Sequence, residues 1–461
     1  MAQPRIDSPK TQDITRALVR AVRGVRYEEL PPDVIFLARQ CLLDWMGVTL
    51  AGHNEPLTRM LRDEVTEQGG QPQATLVGSG ERVSTQQAAL INGAASHALD
   101  FDDVAWMMSG HPTVPVAPAL LALAEWHGSP AQDVIAAFVA GFEMECRVGA
   151  LVLPGHYRTG WHATGTLGTF GASAACAHLL GLDEEQWLHA MGIAGAQAAG
   201  LKSMFGTMTK PFHAGKASAN GLLAATLAAR GFTSNPAVLE TPQGFGATQT
   251  DTFNPEAALD GLGESFAIRT VLFKYHAACY GTHELIEGVL RLREGHGVQP
   301  ADVEQIRLTV PAGNMTMCNI LEPSTALEGK FSMRFTAAMA LVDGDLSETA
   351  FTDEVVGRPD LVAVRDRVHV EPGEEVVGGT RVEMVLANGT ALTESVDLTI
   401  PETDLERQWE RLVAKFRSLA GPVLGDEGAE GLLAAVSSLE SQPSVGELLT
   451  RSIPAPAGAR Q

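Results

Sequence analysis

From about Ile14 to Ile268 the chain reads as a series of helices whose apolar faces are built largely from Ala, Gly, Ser and Thr, with Gly171-Ala172-Ser173-Ala174-Ala175 as the extreme case. Small side chains let helix backbones approach closely, so such helices are expected to bury one another in a compact bundle. Leu30-Pro31-Pro32-Asp33 has the form of a helix start, with Pro in the first turn and an acid beside the positive dipole end. Apolar residues then recur at helical spacing from Val34 to Ala51 and stop at Gly52. Ser84 to Leu99, Val114 to Trp126, Ala131 to Leu153, Thr166 to Leu180, Glu185 to Ala199 and Ser218 to Arg230 continue the series.

The pattern changes near Thr270. Val303 to Val310 and Val368 to Val370 alternate like strands, and Arg381 to Leu386 and Thr390 to Leu398 flank Asn388-Gly389, a tight hairpin signal. Helical stretches, His283 to Glu294 and Phe331 to Leu341, lie among these strands. After Ile400-Pro401 the chain is helical again through Val436, and it closes on a Pro/Ala-rich tail. The expected fold is mainly α with an inserted α+β domain: a helical domain from residues 1–268 and 400–461, interrupted by an α+β domain at 269–399.

Charge restricts the partners. The 461 residues carry a formal net charge of -22, which disfavours nucleic acid and anionic membrane and leaves any anionic ligand dependent on local Lys, Arg or His. Cys41, Cys146, Cys176, Cys279 and Cys318 are scattered and odd in number, as expected of reduced thiols in a cytoplasmic protein. Met1 to Thr15 lacks the apolar core of a signal peptide, and no apolar run is expected to reach the roughly 18 residues that span a bilayer.

Polar and titratable groups interrupt the apolar helices at a few places, where their burial requires a partner or a ligand. Asp100, Asp102 and Asp103 share a loop with His111 and could position a base, bind a metal or cap helices; for Asp102 and Asp103 capping is the plainer expectation. His162 opens a helix whose free N–H groups suit a carboxylate. Lys210, in a Gly/Thr/Pro-rich stretch expected to be a loop, neighbours His213 and Lys216, a cationic cluster suited to an anion. Lys274 and His276 could face a cleft or solvent, His283 starts a helix, and Cys279 reads as a small buried thiol.

Together these segments resemble the MmgE/PrpD family, which includes 2-methylcitrate dehydratases, cis-aconitate decarboxylases and an iminodisuccinate epimerase. The matching runs are His97-Ala98-Leu99-Asp100-Phe101-Asp102-Asp103, Gly110-His111-Pro112, Gly160-Trp161-His162-Ala163-Thr164-Gly165-Thr166, Gly206-Thr207-Met208-Thr209-Lys210 with His213-Ala214-Gly215-Lys216, Phe273-Lys274 and Lys330-Phe331-Ser332. The resemblance implies a large helical domain with a smaller α+β lid, a homodimer, an active site between the domains, and no metal or organic cofactor. It implies Asp100, His111, His162, Lys210 and Lys274 as catalytic positions; His213, Lys216, Cys279, Val104 and Met315 are the residues expected to take part in substrate binding. Decarboxylase-like members carry a Thr where this chain has Val104, a His where it has Cys279, and an early lid Tyr for which the region around Met315 offers no counterpart. These departures count against cis-aconitate decarboxylation.

The expected function is a lyase on a small anionic polycarboxylate: dehydration of a 2-methylcitrate- or citrate-like hydroxy acid by proton removal next to a carboxylate. The alternatives are an epimerase of a dicarboxylate such as iminodisuccinate, a cis-aconitate-type decarboxylase, and a carboxylate-binding protein without catalysis.

Overall fold

The structure, a computed structural model, describes residues 13–373 and 379–455; residues 1–12 and the Pro/Ala-rich tail from 456 onward lie outside the described residues. The chain divides into two compact units, one formed by the chain up to Phe273 together with the chain from Thr403 onward, the other by Lys274–Glu402.

Six helices of the first unit matter most here: α1 (Pro32–Gly52), α2 (Thr85–Ser96), α3 (Thr113–His127), α4 (Ala131–Val152), α5 (Ala163–Leu179) and α6 (Thr209–Ala229). Ser84 caps α2 reciprocally with Gln87, which satisfies two otherwise unpaired N–H groups. The small residues act as the sequence suggests. A Cβ on Gly215 of α6 would lie 2.1 Å from the Leu90 carbonyl oxygen of α2, and one on Gly141 of α4 would lie 2.8 Å from the Gly171 carbonyl oxygen of α5. Backbone therefore packs on backbone at both crossings, and no larger residue fits.

Two expectations need correction. Ser218 to Arg230 was expected as the last helix of this part, with Lys210 in a loop; α6 instead begins at Thr209. Pro211 falls in the first turn, where a missing N–H is harmless, and Gly215 is there for close packing rather than for a turn. Second, α1 is 21 residues long and, by length and composition alone, apolar enough to cross a membrane. Within the fold 78% of its apolar window is buried, and it carries polar pairs: Gln40 accepts from Gln408 at 2.6 Å, and Asp44 pairs with Lys415 at 2.6 Å. Those partners lie on the C-terminal helix Leu405–Ser437, which packs along α1.

In the second unit, β3 (Val303–Pro311) is the inner strand beside β4 (Val368–Gly373), and β5 (Thr380–Leu386) lies between β3 and β6 (Ala391–Val396), giving the order β4-β3-β5-β6; β1 and β2 are one of two short pairs of the first unit, Val104–Ala105 and Val271–Leu272. β3 and β4 run parallel, Ile306 opposite Val368, whereas β3–β5 and β5–β6 are antiparallel. The β5–β6 hairpin turns at Asn388-Gly389, with Gly389 at φ 83°, a left-handed conformation open to glycine. Ile306, Leu308, Val382 and Met384 are buried, and α7 (His283–His296) and α8 (Met333–Val342) pack against the sheet.

Candidate active site

The first unit gathers its titratable groups around the segment between α2 and α3. β1 pairs with β2, Val104 opposite Leu272, and this pins the loop below Asp100–Asp103. Ala105 and Gly110 then exchange backbone hydrogen bonds, closing a tight loop that returns the chain to His111. Asp100 stands at φ 52°, a left-handed conformation that few residues other than glycine adopt and that Asp tolerates.

Asp100 and Asp102 turn to His111; Asp103 turns the other way, where it accepts from both the Thr113 N–H and hydroxyl at the start of α3. Capping therefore describes Asp103 but not Asp102. The Asp102 carboxylate is fully buried, with His97 Nδ1 at 2.9 and 3.0 Å from its two oxygens and His111 Nδ1 at 2.9 Å from Oδ2. The His97 contact is a hydrogen bond; the His111 nitrogen is close but out of line for one. Asp100 Oδ1 is 2.7 Å from Lys210 Nζ and 3.5 Å from His111 Nε2. The result is a chain in which basic and acidic side chains alternate: Lys210, Asp100, His111, Asp102, His97.

α5 and α6 bring a second pair beside it. His162, at the N-cap of α5, and His213, one turn beyond Lys210 on α6, meet Nδ1 to Nδ1 at 3.0 Å, so one ring donates and the other accepts. The His97 and His162 rings lie near-parallel with centres 5.9 Å apart, and Phe205 meets His162 edge-on at 5.0 Å. Thr164 of α5 accepts from the His111 N–H at 3.1 Å. Behind the loop, buried Lys415 donates to the Phe101 carbonyl at 2.6 Å while it holds Asp44, so the C-terminal helix braces the acidic segment.

Electrostatics sorts the groups. Burial pushes the Asp102 carboxyl up, but the His111 and His97 beside it outweigh this and hold it well below the usual carboxylate range. Burial lowers His97 to about 4 against the pull of Asp102, with the neighbouring Lys210 and His111 adding to the drop. Burial, followed by His97, Lys210, His111 and His213, lowers His162 well below the ordinary imidazole value. Burial alone lowers His213. Asp103 moves oppositely, raised by burial to about 8. At neutral pH the buried Asp102 carboxylate therefore lies beside an uncharged His97, with His162 and His213 also uncharged and an ammonium–carboxylate pair next to them.

Donor atoms of His97, Asp100, Asp102 and His111 lie within 4.8 Å of one another. Two imidazoles and two carboxylates would suit a divalent cation. The Lys210 ammonium already brings a positive charge to Asp100.

Of the other sequence candidates, Lys216 is exposed on α6, about one turn beyond His213. Val104 is half-buried in β1. Lys274, Cys279 and Met315 belong to the second unit. There Lys274 and Cys279 are buried, and Met315 is half-buried in the short helix Asn314–Met317. His276 holds Glu287 at 2.9 Å, and His283 pairs with the Ala278 carbonyl at 3.1 Å. His97 and Asp102 were missed as members of the site. No local signal marks either contact, because the left-handed turn at Asp100 sets which acid faces the histidines.

An anion-attracting ammonium beside paired imidazoles and a buried carboxylate is the equipment of a general acid–base centre. Comparison with known proteins agrees in kind. Residues 16–258 match the MmgE/PrpD N-terminal domain and residues 276–441 the MmgE/PrpD C-terminal domain, so the chain belongs to the MmgE/PrpD family. It is 27% identical to a human cis-aconitate decarboxylase over 95% of this chain and 94% of the relative. It is 26% identical to a cis-aconitate decarboxylase-like protein of Aspergillus oryzae over 96% of this chain and 98% of that protein. With a mitochondrial 2-methylcitrate dehydratase of Yarrowia lipolytica it shares 24% identity over 83% of this chain and 80% of the relative. Decarboxylase and dehydratase are both lyases.

Proposed function

We propose that the protein is a lyase that removes a proton from carbon next to a carboxylate in a small polycarboxylate, with dehydration of a 2-methylcitrate- or citrate-like hydroxy acid as its reaction. The observation that carries this reading is the Lys210–Asp100–His111–Asp102–His97 chain lying beside the His162–His213 pair. A substrate carboxylate competes with Asp100 for the Lys210 ammonium and gains a charge-assisted hydrogen bond. An imidazole, His111 or His162, takes the proton, and Lys210 stabilises the enolate-like charge that develops. Asp102, held ionised, stabilises an imidazolium forming on His111. In dehydration the electron pair left by the proton expels the hydroxyl group, which leaves as water after protonation.

Decarboxylation of a cis-aconitate-like substrate is the second reading, favoured by the names of relatives that cover nearly all of the chain. Loss of CO2 also leaves an enolate-like charge, so the same ammonium serves it; Val104 and Cys279, in place of a Thr and a His, count against it.

The test is turnover of 2-methylcitrate, citrate and cis-aconitate by wild type, Lys210→Ala and His162→Ala, with folding checked by circular dichroism. Each variant is expected to lose activity about 100-fold or more. Full activity in both folded variants would contradict the proposal. Because Lys210 already supplies positive charge at Asp100, turnover is expected to survive dialysis against a chelator; loss restored by a divalent cation would move the chemistry to the His97–Asp100–Asp102–His111 donor set.

A further inference from the structure

Beside this centre stands a second cation with a different environment. Residues 160–162 and 200–202 run antiparallel: His162 donates its N–H to the Gly200 carbonyl at 3.0 Å, Lys202 donates its N–H to the Gly160 carbonyl at 2.8 Å, and Trp161 bridges Leu201. One segment thus carries His162 and the other Lys202. The Lys202 ammonium lies 3.6 Å from the centre of the Tyr157 ring and donates to the Tyr157 carbonyl at 3.3 Å. Tyr157 itself sits on the short helix Gly155–Thr159, which leads directly into the His162 segment.

Lys210, Lys330 and Lys415 each hold a carboxylate, at 2.7, 2.6 and 2.6 Å. Lys202 holds none among the described residues, in a chain with 55 acidic side chains. Lys202 is half-buried, and burial lowers its pKa with no acid nearby to offset the cost. A desolvated cation facing only a carbonyl and an aromatic ring gains free energy when an anion arrives. The Tyr157 hydroxyl makes no hydrogen bond to another described residue. Its pKa is raised by burial and then by the negative charge of Asp100, so it stays protonated and remains a donor. That sensitivity to Asp100 also places Tyr157 within electrostatic range of the Lys210–Asp100 pair.

We infer that Lys202 and Tyr157 form a second carboxylate-binding arm of the site, taking a carboxylate remote from the reacting carbon and so selecting tricarboxylates over dicarboxylates. This rests on the proposed polycarboxylate function. The carboxylate accepts from the ammonium and from the phenol at the rim of the same ring, while Lys210 and the imidazoles serve the reacting end.

Isothermal titration tests it with two non-reacting probes, tricarballylate (three carboxylates) and glutarate (two). Wild type is expected to bind tricarballylate more tightly. Lys202→Met should weaken tricarballylate about 10-fold and glutarate less than about 2-fold, and Tyr157→Phe should weaken tricarballylate about 3-fold, each with an unchanged melting temperature. Tricarballylate binding equal to wild type in a folded Lys202→Met, or equal losses for both probes, would overturn the second arm and leave the acid–base centre standing. If wild type binds neither probe, the polycarboxylate reading falls and the arm with it.

Discussion

Asp102 and Asp103 are neighbours with the same side chain and opposite surroundings. Asp102 lies between two imidazoles and is ionised; Asp103 accepts from Thr113 at the start of α3, and burial raises it to about 8. The two isosteric substitutions should therefore separate. Asp102→Asn removes the anion that orients His97 and stabilises charge on His111, and turnover is expected to fall roughly 10- to 100-fold, the range seen when a group supporting a reactive residue is lost. Asp103→Asn keeps a side chain able to accept from Thr113 and is expected to leave turnover within about 3-fold. Steady-state kinetics on the two proteins checks this; similar losses in both would mean that the loop matters for its shape rather than for its charges. The sequence showed the three acids and His111 in one loop but could not show which acid faces which way. That depends on the left-handed turn at Asp100 and on the β1–β2 pairing with Leu272, a residue far along the chain.

Helix packing explains why the site elements sit where they do. α6 carries Lys210 and His213, and its position against α2 rests on Gly215, where an added Cβ would meet the Leu90 carbonyl oxygen at 2.1 Å. Gly215→Ala must push the two helices apart, and the expected cost is about 1–3 kcal/mol, seen as a lower melting temperature, with turnover falling as Lys210 moves from Asp100. A melting temperature equal to wild type would contradict this account of the crossing. The same glycine shows where sequence reading failed. Gly and Pro near Lys210 suggested a loop, because local propensity treats both as breakers. In the fold Pro211 occupies a first turn and Gly215 a close crossing, so tertiary packing overrode the local signal. Where a long apolar run or a clear turn signal dominated, as in α3, α4 and the β5–β6 hairpin, the elements were legible within a few residues. The parallel β3–β4 pairing was not, since nothing local specifies which distant strand lies alongside.

At the scale of the whole molecule, buried titratable groups give the fold a stability optimum. His97 and His156 both fall to about 4, mainly through burial. Between that value and the ordinary imidazole value the unfolded chain binds more protons than the folded one, so acidification through this window destabilises the fold. Each histidine contributes about 3 kcal/mol at full effect, less for the partly exposed His156. Asp103, raised to about 8, has the opposite sign: the folded state holds its proton while the unfolded chain releases it, so stability falls as pH rises toward that value. The two slopes oppose each other in acid and only the second remains above neutrality. Maximum stability is expected near pH 6.5, and Asp103→Asn should flatten the alkaline side in chemical denaturation measured across pH. A stability that rises steadily to pH 8 in wild type would contradict the assignment.

The central claim is that this centre moves a proton at carbon beside a carboxylate. Proton NMR in D2O, with wild type and a panel of citrate, 2-methylcitrate, cis-aconitate, itaconate and iminodisuccinate, measures that event directly. The account predicts deuterium at such a carbon in at least one substrate, with 2-methylcitrate or citrate losing water, and no incorporation by Lys210→Ala or His162→Ala. Absence of exchange with every member of the panel, from folded wild-type protein, would contradict it.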